Sequence, residues 1–192
     1  WYETLVQPHV DVVTAPITEV VEDGIVADGT HHALDAILWC TGFHVDEPLG
    51  QLDVYGVDGV SLREVWGARP HALRGIQVPD FPNSFLLLGP NTALGHNSVV
   101  IMIEAQIRYL LDALRLADAN GPIDARPDAV AAWLDRVDRR HASRVWASGC
   151  ASWYLGEDGA NFTIYPGSTA RYVLETRKVR PAEVRHLSAD AR

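Results

Sequence analysis

Residues 99–119 run without a glycine or a proline, and within them Glu104, Arg108, Asp112 and Arg115 recur at helical spacing. This predicts one long helix with a single polar stripe. Asn97 or Ser98 can cap its start, and Asn120-Gly121-Pro122 stops its end. Its first turns, 99–103, are apolar all round, which predicts a buried helix start. Just upstream, the apolar run Phe85-Leu86-Leu87-Leu88 predicts a strand covered on both faces. That run enters Gly89-Pro90-Asn91 and then Gly95-His96-Asn97-Ser98. A helix N-terminus carries unpaired N–H groups and roughly half a positive charge, so it suits an anion or an electron-rich ring edge. A capped helix that binds nothing would carry the same signature.

The first part of the chain reads as β. Residues 10–13 and 17–21 are rich in β-branched side chains, and Asp23-Gly24 and Asp28-Gly29 are hairpin turn signals. Ala36-Ile37-Leu38-Trp39 predicts a second strand buried on both faces, ending in Cys40-Thr41-Gly42-Phe43. Residues 44–82 are loop-rich. A second helix is expected over 127–146, with Ala131, Leu134, Val137 and Ala142 on its apolar face. Ser168 can cap a short helix to Thr176. The aromatics Trp146, Trp153, Tyr154, Phe162, Tyr165 and Tyr172 suit packing of this region onto the body, or the lining of an apolar substrate site. Residues 1–178 read as one domain part and 179–192 as a frayed polar tail.

Composition narrows the partners. The 192 residues are 47% hydrophobic and 21% charged, an ordinary globular balance. Residues 1–96 hold 3 Arg and 13 Asp/Glu, which argues against nucleic acid or an anionic membrane. Cys40 and Cys150 form no framework and no paired motif, so a reduced cytoplasmic protein is expected. No run is apolar enough to span a membrane. The chain opens on Trp1 and its single methionine is Met102, which reads as a fragment of something longer. His31-His32 lacks a metal-ligand spacing, and His141 with Cys150 lacks anything that would activate the thiol. No catalytic residue and no metal site is assigned.

Two segments match one family in the same order. Asp35-Ala36-Ile37-Leu38-Trp39-Cys40-Thr41-Gly42-Phe43 resembles the strand D-x-(I/V)-x-x-A-T-G-F of class B flavin-dependent monooxygenases, with Cys40 in place of the alanine. Phe81-Pro82-Asn83-Ser84-Phe85 and Gly89-Pro90-Asn91-Thr92-Ala93-Leu94-Gly95-His96-Asn97-Ser98 resemble its later F-P-N-x-F…G-P-N-x-x-x-G-H-x-S segment. Gly149-Cys150-Ala151-Ser152-Trp153-Tyr154 and Tyr165-Pro166-Gly167-Ser168 are similar to the C-terminal block of the Baeyer–Villiger-like members.

The resemblance implies an α/β fold, the C-terminal portion of a two-dinucleotide-binding-domain flavoprotein with an incomplete Rossmann-like sheet. It implies FAD reduced by NADPH, and a peroxyflavin that oxygenates a small ketone or soft heteroatom with dioxygen. Thr41, Gly42, Phe43, Gly89, Pro90, Asn91, Leu94, Gly95, His96, Asn97 and Ser98 are the implied cofactor-binding residues. The family's glycine-rich phosphate loops and its active-site arginine have no counterpart in these residues, which points to a partner N-terminal piece. Two alternatives remain at this stage. One is an inactive remnant or interaction module, and the other is a different two-dinucleotide oxidoreductase such as a disulfide reductase.

Overall fold

Asp28 and Gly29 both take positive φ, 49° and 71°, the geometry of a primed two-residue hairpin turn. In the computed structural model, which describes residues 1–41, 52–145, 154–156 and 159–187, that turn joins two strands of a small sheet. The chain divides into two units, Trp1–Gly42 and Phe43–Arg192.

The first unit holds a short helix α1 (Tyr2–Leu5) and three antiparallel strands, β1 (Ile17–Val21), β2 (Gly24–Ala27) and β3 (Thr30–Ala33), in the order β1-β2-β3. Gly24 is required where it stands, because a Cβ there would lie 2.0 Å from the His32 carbonyl oxygen. Residues 10–13 are not a strand. Nor are residues 36–39, where Leu38 is 88% and Trp39 60% exposed. A strand buried on both faces needs backbone partners on each side. Among the described residues, none pairs with this run.

In the second unit, a 3-10 turn (Val57–Gly59) and helix α2 (Leu62–Trp66) precede the long helix α3 (Val99–Asn120). Ser98 caps α3, its Oγ accepting from the Val100 N–H at 3.3 Å, and Gly121 follows its end. The face that α3 buries starts at Met102 and continues through Ala105, Gln106, Tyr109 and Ala113. The expected buried start is not there: Val100 is 56% and Ile101 37% exposed. Ile107, Leu111 and Leu114 are exposed as well, so the outer face is apolar beside its charged stripe. Residues 85–88 form no strand. Leu86 donates to the Ile76 carbonyl at 2.8 Å, and Leu88 turns away at φ 55°.

Helix α4 (Pro127–His141) begins with its proline where no N–H is needed and is shorter than expected. It buries Val130, Trp133, Val137 and His141, so of the expected face only Val137 is fully covered, while Ala131 and Ala142 are exposed. Trp133 stacks on Tyr165, and Tyr172 of helix α5 (Thr169–Glu175) meets Tyr165 edge-on with centroids 5.0 Å apart. Phe162, Tyr165 and Tyr172 are therefore core residues, while Trp146 and Trp153 lie outside the described residues.

The expected frayed tail is packed as far as Leu187. Strand β5 (Val184–His186) pairs antiparallel with β4 (Ile123–Ala125), and Val179 is buried. Arg185 locks this ribbon by donating to fully buried Asp124 at 2.7 Å and to Asp80 at 2.6 Å. The polar composition that suggested fraying supplies these ion pairs instead.

Candidate functional site

The loop entering α3 rests on two glycines. Gly75 sits at φ +69°, and a Cβ there would lie 2.2 Å from Thr92 Cγ2 and 2.5 Å from the Pro90 carbonyl oxygen. A Cβ on Gly89 would lie 2.4 Å from the Gly75 carbonyl oxygen. Backbone therefore packs directly on backbone, which only glycine allows. Thr92 Oγ1 donates to the Gly89 carbonyl at 2.6 Å and closes the turn.

Asn91 ties the loop to a distant segment. It is 1% exposed, and its φ of 58° is a conformation asparagine tolerates better than most residues. Its N–H donates to the Phe162 carbonyl and its Nδ2 to the Asn161 carbonyl, both at 2.7 Å. Ala93 donates to Thr163 and accepts from Tyr165, each at 2.9 Å, in a parallel bridge around Ile164. Asn161 Oδ1 in turn accepts from the N–H groups of Thr163 and Ile164.

A buried relay supports the loop from below. The Leu88 N–H donates to Gln106 Oε1 at 2.9 Å, Gln106 Nε2 donates to the Tyr172 oxygen at 2.9 Å, and the Tyr172 hydroxyl donates to the Arg74 carbonyl at 2.7 Å. Gln106 and Tyr172 are fully buried, and burial pushes the tyrosine hydroxyl above its ordinary pKa, so it stays protonated and donating. Arg74 pairs with Glu183, which ties the end of the chain into the same base.

Above this base, Leu94 is half-buried and Gly95, His96, Asn97 and Ser98 are exposed. Asn97 accepts from the Ser98 N–H at 2.8 Å and donates to Thr169 Oγ1 at 3.3 Å. The sequence therefore grouped two kinds of residue. Gly89, Pro90 and Asn91 are the foundation, with Pro90 and Asn91 buried, while 94–98 form an exposed lip at the positive end of α3. Thr41 is exposed at the end of the first unit, and Gly42 and Phe43 lie outside the described residues. Gly75 and Gln106 were not found from sequence, since nothing local distinguishes them, and Tyr172 stood out only as one of several aromatics.

The lip holds no lysine or arginine, yet it combines exposed apolar surface at Val100 and Ile101 with a helix N-terminus. That set suits the edge of a flat, hydrogen-bonding ring better than a pyrophosphate. The residues present can therefore accommodate the ring end of a flavin dinucleotide.

No family model matches the chain. It is 45% identical over 189 residues to a Baeyer-Villiger monooxygenase of Streptomyces coelicolor, covering 95% of this chain and 36% of that protein. A Baeyer-Villiger monooxygenase of Pseudomonas aeruginosa is 38% identical over 93% of this chain and 35% of its own length. The FAD-binding monooxygenase ktnD of Aspergillus niger is 38% identical over 95% of this chain and 31% of its own length.

Among solved structures, an NADP-bound steroid monooxygenase superposes with a TM-score of 0.73 at 33% identity, over 91% of this chain and 34% of that one. NADP+-bound cyclohexanone monooxygenase from Rhodococcus sp. Phi1 gives 0.76 at 26% identity, over the same 91% and 34%. The chain thus spans about a third of the length of the relatives it matches. Sequence and fold together define the C-terminal portion of a two-dinucleotide-domain flavoprotein. Over nearly its whole length the chain is similar to the C-terminal part of Baeyer–Villiger-type monooxygenases. The disulfide-reductase and inactive-module readings are not favoured. Among the described residues, no helix is long and apolar enough to cross a membrane.

Proposed function

We propose that the protein to which this chain belongs is an FAD- and NADPH-dependent monooxygenase of the reduced cytoplasm. Its reactants are dioxygen and a small organic ketone or soft-heteroatom compound. When bound, the flavin supplies the oxygenation chemistry. The contribution of this chain is to bind and orient.

Leu94, Gly95, His96, Asn97 and Ser98 face the polar edge of the flavin ring, while Gly89, Pro90 and Asn91 hold that lip in place. The resemblance alone extends a cofactor-binding role to Thr41, Gly42 and Phe43. The positive end of α3 favours negative charge by roughly 0.3–1 kcal/mol, up to about 2 kcal/mol where partly buried. The observation that carries this reading is the exposed lip on a fully hydrogen-bonded, buried base, ending at an uncovered helix start. The apolar outer face of α3, with Ile107, Leu111 and Leu114, is covered in the whole protein by the two thirds of the relatives' length that this chain lacks.

The test is flavin occupancy, read as the ratio of flavin to protein absorbance in the complete protein. Gly95→Val lowers it sharply by setting a branched side chain on the lip, whereas Glu104→Gln on the exposed stripe leaves it unchanged. Equal occupancy in Gly95→Val and the parent would remove the lip from the cofactor site.

A further inference from the structure

Behind the strut formed by residues 161–165 lies a cavity of about 200 Å3 that the flavin reading does not use. Arg69, Asp138, His141 and Asn161 line it, with Leu155 and Ala160 among its apolar walls. His141 is 7% and Asn161 6% exposed. Among the described residues, three buried polar atoms of this lining have no hydrogen-bond partner: His141 Nδ1, Asn161 Nδ2 and Arg69 Nε. A buried polar atom left unpaired costs about 1–3 kcal/mol, so three in one small cavity are a strong demand for a ligand.

The protonation of each is fixed by its other contacts. His141 Nε2 lies 3.0 Å from the Ile164 carbonyl oxygen, so the proton of the neutral ring sits on Nε2 and Nδ1 is a bare acceptor. Asn161 Oδ1 already accepts two backbone N–H groups, which orients Nδ2 as a free donor. Arg69 Nη2 is engaged by Asp138 at 2.5 Å, which cancels its charge and leaves Nε–H as a second donor. The cavity therefore offers two donors and one acceptor on a neutral background.

We propose that this cavity binds a short aliphatic carboxylic acid, taken from solution as its carboxylate together with one proton. The carboxyl oxygens accept from Arg69 Nε and Asn161 Nδ2, and the proton is shared with His141 Nδ1. Proton on the acid or proton on the imidazole gives the same stoichiometry and the same net charge. The apolar walls and the volume admit a chain of only a few carbons.

The groups acting on His141 are Asp138 on its own helix, Arg69 from the loop after α2, Arg144 just beyond α4 and the Ile164 carbonyl across from it. Burial, the largest of these influences, holds the imidazole below its ordinary pKa, so the free site is neutral at pH 7.5 and the proton arrives with the ligand. Occupancy would brace the loop, because the Asn161 carbonyl holds Asn91 and the 161–165 strut holds Ala93. This site requires no flavin, so it stands or falls separately from the proposed function.

The experiment titrates sodium butyrate into the 192-residue protein by calorimetry at pH 6.0, 7.0 and 8.0, in buffers of different ionisation enthalpy. One site is expected, with uptake of about one proton and a Kd that weakens toward tenfold per pH unit. Butyramide, whose N–H groups donate but transfer no proton, binds without proton uptake, and n-butylamine, an ammonium with no acceptor, binds at least about tenfold more weakly than butyrate. His141→Gln loses about tenfold in affinity at pH 6.0. The imidazole 15N shifts of the unaltered protein give an answer that does not depend on any variant folding: His141 Nδ1 must become protonated or strongly hydrogen-bonded as butyrate is added. Unchanged His141 shifts at saturating butyrate, binding without proton uptake, or a cavity that takes only water would each overturn the proposal.

Discussion

Replacing Gly75 by alanine tests the base of the loop directly. Two costs add. The backbone sits at φ +69°, where an L side chain costs roughly 1–2 kcal/mol. The new Cβ would also lie 2.2 Å from Thr92 Cγ2 and 2.5 Å from the Pro90 carbonyl oxygen. Overpacking of that kind costs about 1–3 kcal/mol once the neighbours move. The expected loss is therefore about 2–5 kcal/mol, a large part of the roughly 5–15 kcal/mol that stabilises a typical domain.

Gly59→Ala is the matched control. Gly59 has φ +74° with nothing within 4 Å of the added Cβ, so it carries the backbone cost alone. The difference between the two variants in urea unfolding isolates the packing cost at Gly75. Hydrogen exchange at the amides of Asn91 and Ala93, which donate to Phe162 and Thr163, then locates the damage. Exchange there should accelerate in Gly75→Ala and not in Gly59→Ala. Equal losses of stability, or unchanged exchange at both amides, would refute the argument that this glycine seats the loop.

Three further perturbations follow from the same geometry. Asn91→Gly keeps the positive φ but loses the 2.7 Å bond to the Asn161 carbonyl, so it should cost about 1–3 kcal/mol in urea unfolding; a fully stable variant would contradict the tie. Tyr172→Phe strands the Gln106 amide and the Arg74 carbonyl, both in the core, and should lower Tm by an amount equivalent to about 1–3 kcal/mol, where no shift would show the relay to be idle. Burial raises the pKa of Glu175, but hydrogen bonds from Arg140, Arg171 and Tyr165 outweigh it and hold the carboxyl below its ordinary value. The unfolded carboxyl, near 4.3, then takes up its proton first on acidification. The stabilisation is complete above about pH 4.3 and is lost as pH falls through the lower folded value. Glu175→Gln should flatten the acid limb of stability against pH, and an equally steep limb would argue against this hub.

What could be read in advance was local. The Asp28-Gly29 turn, the Ser98 and Ser168 caps and the stop at Gly121 each depend on a few adjacent residues, and each is where the sequence puts it. The runs 36–39 and 85–88 misled because an apolar run signals burial without saying which backbone will pair with it. Alanines misplaced the face of α4, since their small side chains are tolerated inside or out. Strand β5 is three residues long and pairs with β4 far upstream, so no periodicity announced it. The lip at 94–98 was visible as a motif. Its base was not, because Gly75, Gln106, Asn161 and Tyr172 come from four separate stretches and acquire their meaning only when folded together.

That dependence sets an order of events during synthesis. On a ribosome, residues 89–98 and the whole of α3 and α4 emerge before Asn161, Phe162 and Thr163, and the Glu183 partner of Arg74 emerges later still. Until then the Asn91 side chain has no acceptor and the loop has no strut. A chain cut between residues 145 and 160 would keep both long helices and ordinary helical circular dichroism. Its loop would have no fixed shape, so the defect would escape a test of secondary structure and surface only in a test of the site.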